Sequence, residues 1–308
     1  MNRRIIIVEP HGFCSGVTRA VQTAHKLLDS TAERPLYCLH EIVHNRQVVG
    51  ELRDQGMVFV NSVEEVPEGA LLLLSAHGVA PAVKQSAEQR SLRIVDAVCP
   101  FVSKVHAEVR EFVAQGMQVL CIGHRNHEEV IGVVGEAPGH VYVVESEQEA
   151  QELDLPSDMP LGLVTQTTLG AAHVDGVSAV LQRRFRNIQQ PPVTDVCYAT
   201  RNRQAAVQKL AASVQRVLVL GSANSSNSRR LVECALAEGT ESFLISQLSD
   251  LDSLSWTELG VVGITGGAST PESFLDSVVG KLRSDCGFQQ PEIMIAVEER
   301  ASNFALPL

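Results

Sequence analysis

The 308-residue sequence has no apolar run long enough to cross a bilayer: even a run as long as Ala70–Leu74 is only strand length, against roughly 18 to 20 residues for a spanning helix. No membrane partner is expected. Positive charge is also scarce, with 25 Lys and Arg against 36 Asp and Glu and a net charge of -11. Such a surface repels nucleic-acid backbones and anionic lipid, so no nucleic-acid partner is expected, although a local pocket of donors can still take a small anion. Cys-x-x-Cys is absent, which argues against a zinc ribbon or a ferredoxin-type cluster. Neither a Gly-x-x-x-x-Gly-Lys-Ser/Thr loop nor a strand followed by Gly-x-Gly-x-x-Gly is present, which disfavours ATP and dinucleotides. The opening residues 1–9 put Glu9 where a signal peptide needs a longer apolar region, so a cytoplasmic location is expected.

What is present is the balance of an ordinary globular protein, 44% hydrophobic and 20% charged, with length for two or three compact units. Short apolar runs alternate with stretches of helical period, which predicts an α/β fold with mostly parallel sheets. Strands are expected at 5–8, 36–39, 71–74, 92–95, 118–122, 161–164, 217–220 and 261–264. Helices are expected at 17–28, 102–113, 202–214 and 228–237, with 145–158 and Pro191-Pro192 read as connections.

A repeat underlies this alternation. Cys14, Cys99 and Cys197 each precede an expected helix, then a strand, then a polar loop containing His44, His127 or Ser225. A second strand in each repeat ends near His77, Thr167 or Ser269. Ligands bind outside the carboxyl ends of strands in open α/β sheets, so three related units can pool such residues. The expectation is a pseudo-threefold assembly of three small α/β domains, 14–98, 99–196 and 197–308, with strand 1–13 joining the third.

The three repeat cysteines sit where loops enter helices, a setting that favours thiolate, the metal-binding form. Three thiolates from three units suit an iron-sulfur cluster, and three ligands on four irons leave one iron open for chemistry. Cys38, Cys121, Cys234 and Cys286 lack that context and read as structural; an odd total of seven argues against a disulfide framework. Histidines 44, 77 and 127, and the loops Gly221–Ser228 and Gly266–Pro271, offer the donors and helix starts that hold anions. A proton source is also needed, and Glu128 and Glu129 are equal candidates by residue type.

These residues resemble 4-hydroxy-3-methylbut-2-enyl diphosphate reductases across nearly the whole chain. The resemblance runs through Gly12-Phe13-Cys14, Glu41–Arg46, Ser75–Val79, Cys99-Pro100 with Lys104-Val105-His106, His127–Gly132, Thr165–Leu169, Cys197–Thr200 with Asn202-Arg203-Gln204, and Asn224–Ser228. It implies a trefoil of three α/β domains around a [4Fe-4S] cluster held by Cys14, Cys99 and Cys197, with one open iron. It implies that His44, His77, His127, Thr168, Ser225, Ser226, Asn227 and Ser269 bind an allylic diphosphate. Glu129 falls at the family's proton-delivering glutamate, with Thr167 near the substrate hydroxyl. The implied reaction is two-electron reductive removal of that hydroxyl, giving isopentenyl and dimethylallyl diphosphates, with ferredoxin or flavodoxin as electron donor.

Four positions depart from the family pattern: His11, Thr18, Val98 and Val133, the two valines each standing where a Thr is usual. They motivate a competing reading, a diverged paralogue that keeps the cluster and binds the diphosphate as a sensor without catalysis. A zinc hydrolase built from the cysteines and histidines is the weaker third reading, because its histidines lie in phosphate-type loops.

Overall fold

Every strand pairing among the described residues is parallel. The structure is a computed structural model and describes residues 3–31, 34–299 and 302–308. Its first stretch runs β1 (Arg4–Glu9), α1 (Ser15–Ser30), β2 (Leu36–Leu39), α2 (Arg46–Asp54), β3 (Met57–Val60), β4 (Leu71–Leu74), α3 (Pro81–Gln89) and β5 (Arg93–Asp96). The next runs α4 (Pro100–Ala114), β6 (Gln118–Ile122), α5 (Glu128–Val134), β7 (Val141–Val144), α6 (Glu147–Glu152), β8 (Leu161–Thr165), α7 (Ala171–Arg184) and β9 (Ile188–Gln189). The last runs α8 (Tyr198–Ala211), β10 (Arg216–Leu220), α9 (Ser226–Ala237), β11 (Glu241–Ile245), β12 (Val261–Gly266), α10 (Glu272–Cys286) and β13 (Glu292–Ile295).

Three sheets result, ordered β3-β2-β4-β5, β7-β6-β8-β9 and β11-β10-β12-β1-β13. The three orders are one pattern. In the third sheet β1 takes the place that β5 and β9 hold in theirs, and β13 adds to its far side. The repeat in the sequence is therefore a repeat in topology, and the fold is α/β with parallel sheets. The chain divides into two compact units: Met1–Thr18, Val43–Glu51 and Tyr198–Phe304 in one, with Arg19–Ile42, Leu52–Cys197 and Ala305–Leu308 in the other. The first holds the five-stranded sheet and the second the two four-stranded sheets.

The strands are nearly continuous apolar runs because helices cover both sheet faces. Ile5, Ile7, Leu218 and Leu220 pack under α10, while Ile6, Val8, Val217 and Val219 pack under α8 and α9 on the opposite face. The same division puts Leu120 and Leu163 against α7, and Val119, Cys121 and Val164 against α4 and α5. Cys38 and Cys121 are fully buried, and desolvation pushes both thiols up, which keeps them protonated and inert.

The packing is tight enough to require glycine in mid-strand. A Cβ on Gly162 of β8 would lie 2.3 Å from the Phe112 ring of α4. Gly162→Val is expected to cost about 1 to 3 kcal/mol or more, the usual scale for overpacking a core, read as a lower urea midpoint at unchanged slope. One expectation is corrected here. The stretch 145–158 is not only connection, since Ser146 caps α6 by accepting from the Glu149 N–H at 3.1 Å. Cys286 is the last residue of α10.

Candidate functional site

In the first unit, the carboxyl ends of β10 and β12 open into the two anion-type loops. Ser225 caps α9, its Oγ accepting from the Ser228 N–H at 3.3 Å and from the Ser228 hydroxyl at 3.0 Å. Ser226 and Asn227 then form the first turn, both buried. Asn227 is 4% exposed, yet neither polar atom of its amide has a partner among the described residues. A buried amide left so costs about 1 to 3 kcal/mol per unmet group.

His44 joins these residues although it follows β2 of another sheet. Its carbonyl accepts from the Ser269 hydroxyl at 3.0 Å, and its Nδ1 lies 3.5 Å from the Asn224 amide nitrogen. The neighbouring Arg46 N–H donates to Ser222 Oγ at 2.8 Å, and the Gln47 amide donates to the Ser246 carbonyl at 2.7 Å. The segment Val43–Glu51 thus docks on the five-stranded unit and brings His44 together with Ser225, Ser226, Asn227 and Ser269.

In the second unit, β4, β6 and β8 deliver His77, His127 and Thr167. His127 caps α5: its Nδ1 accepts from the Glu129 N–H at 3.2 Å, which in a neutral ring assigns the proton to Nε2. His77 lies edge-on to it, with ring centroids 6.1 Å apart, and its Nδ1 is 2.9 Å from Glu128 Oε2. Glu129 is 2% exposed. Its Oε1 accepts from the Thr167 N–H at 2.7 Å and its Oε2 from the Thr167 hydroxyl at 3.1 Å. The two adjacent acids therefore part company: Glu128, half-buried, sits on the His77 imidazole, while Glu129 is buried on Thr167. The Thr168 hydroxyl accepts from the Gln166 amide at 2.9 Å, and Gln166 Oε1 accepts from the His124 N–H at 3.0 Å.

A buttress behind Thr167 was invisible in the sequence. Lys104 of α4 donates to Asp195 at 2.6 Å and pairs with Glu108 at 2.6 Å, while Asp195 Oδ2 accepts the Thr165 N–H at 2.9 Å. Burial, with the Asp195 carboxylate adding to it, pushes Glu108 up to about 7 against the pull of Lys104. The ordinary group titrates near 4.5, so between there and about 7 the folded chain keeps a proton that the unfolded chain has lost. Stability is expected to fall as pH rises through that window and then level off. Urea midpoints against pH test this, and Glu108→Gln is expected to flatten the slope.

Each of the three repeat cysteines is the residue directly before a helix: Cys14 before α1, Cys99 before α4 and Cys197 before α8. None of the seven cysteines forms a disulfide. The Val17 N–H points to Cys14 Sγ at 3.5 Å, the contact a helix start offers to a thiolate. Backbone bonds seat each loop: Cys14 N–H on the Ala268 carbonyl at 3.1 Å, Cys99 on Ala76 at 3.0 Å, and Cys197 on Thr167 at 3.1 Å. These are soft sulfur donors seated at helix starts, and as a donor set they fit an iron-sulfur cluster.

Of the four departures, Val133 is a core residue, 1% exposed and packed with Val105 and Val109. His11 bonds Val8 and Glu272, at 2.9 and 3.3 Å.

Parallel α/β sheets with cysteines at helix starts and polar residues at the strand ends are the pattern of the α/β class of ligand-binding enzymes. Comparison with known proteins narrows it. The family model described as LytB protein matches residues 5–283, and the chain belongs to that family. A curated relative from Acidothermus cellulolyticus, named 4-hydroxy-3-methylbut-2-enyl diphosphate reductase, is 45% identical over 99% of this chain and 89% of its own. One of the same name from Burkholderia pseudomallei is 44% identical over 99% and 96%. The solved structure of the Plasmodium falciparum E-1-hydroxy-2-methyl-but-2-enyl-4-diphosphate reductase superposes with a TM-score of 0.95 at 32% identity, covering 100% of this chain and 96% of that one. The chain is an enzyme of the oxidoreductase class. No helix among the described residues is long and apolar enough to cross a membrane.

Proposed function

We propose that this enzyme reduces 4-hydroxy-3-methylbut-2-enyl diphosphate to isopentenyl and dimethylallyl diphosphates in the cytoplasm. Two electrons from ferredoxin or flavodoxin and two protons convert the C–OH bond to C–H and release the oxygen as water. The domains of the reading are 14–98, 99–196 and 197–308, with strand 1–13 added to the third. Cys14, Cys99 and Cys197 hold a [4Fe-4S] cluster with one iron left open. That cluster, when bound, supplies the electrons to the allylic alcohol.

The chain's own residues bind and protonate. Asn227 carries the reading: its buried amide has no partner among the described residues, and it stands on the first turn of α9 beside Ser225 and Ser226, where N–H groups and the helix dipole favour an anion. His44 and Ser269 add donors in the same unit, and His77, His127 and Thr168 in the other. Each hydrogen bond to a charged oxygen is worth about 1.5 to 3 kcal/mol, so a handful replaces the lysine cluster that the sequence lacks.

Glu129 and Thr167 handle the proton. With the carboxyl protonated, the hydrogen bond between Glu129 Oε2 and the Thr167 hydroxyl reverses, and Thr167 then donates onward to the substrate oxygen. Their burial excludes water from this relay and so keeps the proton for the leaving hydroxyl.

The test is anaerobic purification followed by iron and sulfide analysis and an assay with product identification. Brown protein that consumes the hydroxylated diphosphate and yields both isomers is the expected result. An intact cluster that binds the diphosphate without turnover sinks the proposal in favour of a sensor, and zinc in place of iron sinks it outright.

A further inference from the structure

Arg203 of α8 is 1% exposed and heads the largest fully buried side chains. A guanidinium removed from water persists only when each of its donors is used. Here Nε donates to the Gly12 carbonyl at 3.1 Å. One terminal nitrogen donates to Gly12 at 2.9 Å and to His11 and Phe13 at 3.4 Å each. The other reaches the Ala199 carbonyl at 3.1 Å and both Glu299 oxygens at 3.3 Å. Nε and one terminal nitrogen are thus spent on the three carbonyls directly before Cys14, and the other terminal nitrogen on Ala199 and Glu299.

The residue directly after Cys14 is held by the same helix. Ser15 Oγ accepts from the Tyr198 hydroxyl at 2.9 Å and from the Ser302 N–H at 3.0 Å. Tyr198 opens α8, immediately after Cys197. On its other side the loop rests on the end of β12, through Gly12 N–H to the Gly266 carbonyl at 3.1 Å, and on the segment after it, through Cys14 N–H to the Ala268 carbonyl at 3.1 Å. Gly12 has φ +66°, and a Cβ there would come 3.2 Å from the Thr270 carbonyl, so the loop has no slack in that direction.

We infer that Arg203 is the positioning residue for Cys14: with Tyr198 it clamps both neighbours of that cysteine to α8, and Glu299 is its counter-ion. The helix that begins after one proposed cluster ligand thereby sets the loop of another. The inference rests on the reading that Cys14 is a ligand. The guanidinium touches neither the proton relay nor the anion loops.

The experiment compares Arg203→Met, Arg203→Lys and Tyr198→Phe with the wild type, all purified anaerobically. Bleaching of the cluster by an iron chelator is timed well below the melting temperature, alongside the electron paramagnetic resonance spectrum of the reduced cluster and the melting of cluster-free protein. Loss of an outer partner costs a metal site about 10- to 100-fold, so bleaching about 10-fold or more faster is expected for Arg203→Met, with an altered spectrum. Arg203→Lys, which keeps the charge but not the fork, and Tyr198→Phe, which removes one hydroxyl, should fall between. Wild-type bleaching and an unchanged spectrum in Arg203→Met overturn the inference. If that variant does not fold, the same outcome in the other two does so. A wild type with no iron-sulfur cluster overturns the functional reading itself, a result these variants cannot mimic.

Discussion

Cys99→Ser is expected to yield folded protein that does not retain its cluster. The sulfur makes no hydrogen bond that caps α4. The backbone does the structural work there, with the Cys99 N–H on the Ala76 carbonyl at 3.0 Å and the Cys99 carbonyl accepting from Ser103 at 2.9 Å. Serine keeps both bonds and suits a helix start at least as well, so the fold should survive. The ligand does not survive: a hydroxyl is a harder, far more weakly acidic donor than a thiol and is a poor substitute on iron. Loss of a mere outer partner costs about 10- to 100-fold in metal affinity, so loss of the ligand should exceed about 100-fold. Iron analysis and visible absorbance read the effect, with circular dichroism as the fold control. Cys286→Ser, at the partly exposed end of α10, should keep its iron. Wild-type iron content in Cys99→Ser would remove that residue from the ligand set.

The buried strands were legible because their chemistry is local. Leu36–Leu39, Leu71–Leu74 and Gln118–Ile122 are apolar runs whose bounds match the expectation residue for residue. Strands such as Met57–Val60, four apolar residues, and Glu241–Ile245, which opens on two polar ones, were missed because so few residues carry little periodic signal. The short helices α5 and α6 were missed for the same reason.

The site divides in the same way. Cysteine, histidine and serine at loop positions announce themselves by type, and the repeat puts them at strand ends. What no local pattern carries is partnership. Glu128 and Glu129 are indistinguishable by composition, and only the turn of α5 sends one to His77 and the other inward to Thr167. The docking of His44 on the five-stranded unit, and Lys104 acting on Thr165 through Asp195, join residues far apart in the chain.

Glu129→Gln is expected to lower turnover by about 10²-fold or more while cluster and diphosphate binding remain, the usual scale for removing a general acid. The substitution is nearly isosteric. The glutamine carbonyl oxygen can still accept the Thr167 N–H that Oε1 accepts at 2.7 Å, so the loop after β8 should hold its course. At Oε2 the amide nitrogen takes over and donates to the Thr167 hydroxyl, which in the wild type donates to the carboxylate at 3.1 Å. That new bond has the direction of the protonated acid, so substrate should meet a site shaped like the active form. Yet the amide has no proton to give, and the leaving hydroxyl must then depart without one. The effect should therefore fall on kcat, with little change in KM or in diphosphate affinity. Thr167→Val separates the two members of the relay: it leaves the acid in place, removes the hydroxyl between acid and substrate, and should also depress kcat. Near-normal turnover in Glu129→Gln would take the carboxyl out of the chemistry and leave the buried pair as a strut for the loop. Raised KM with unchanged kcat would give it a part in binding alone.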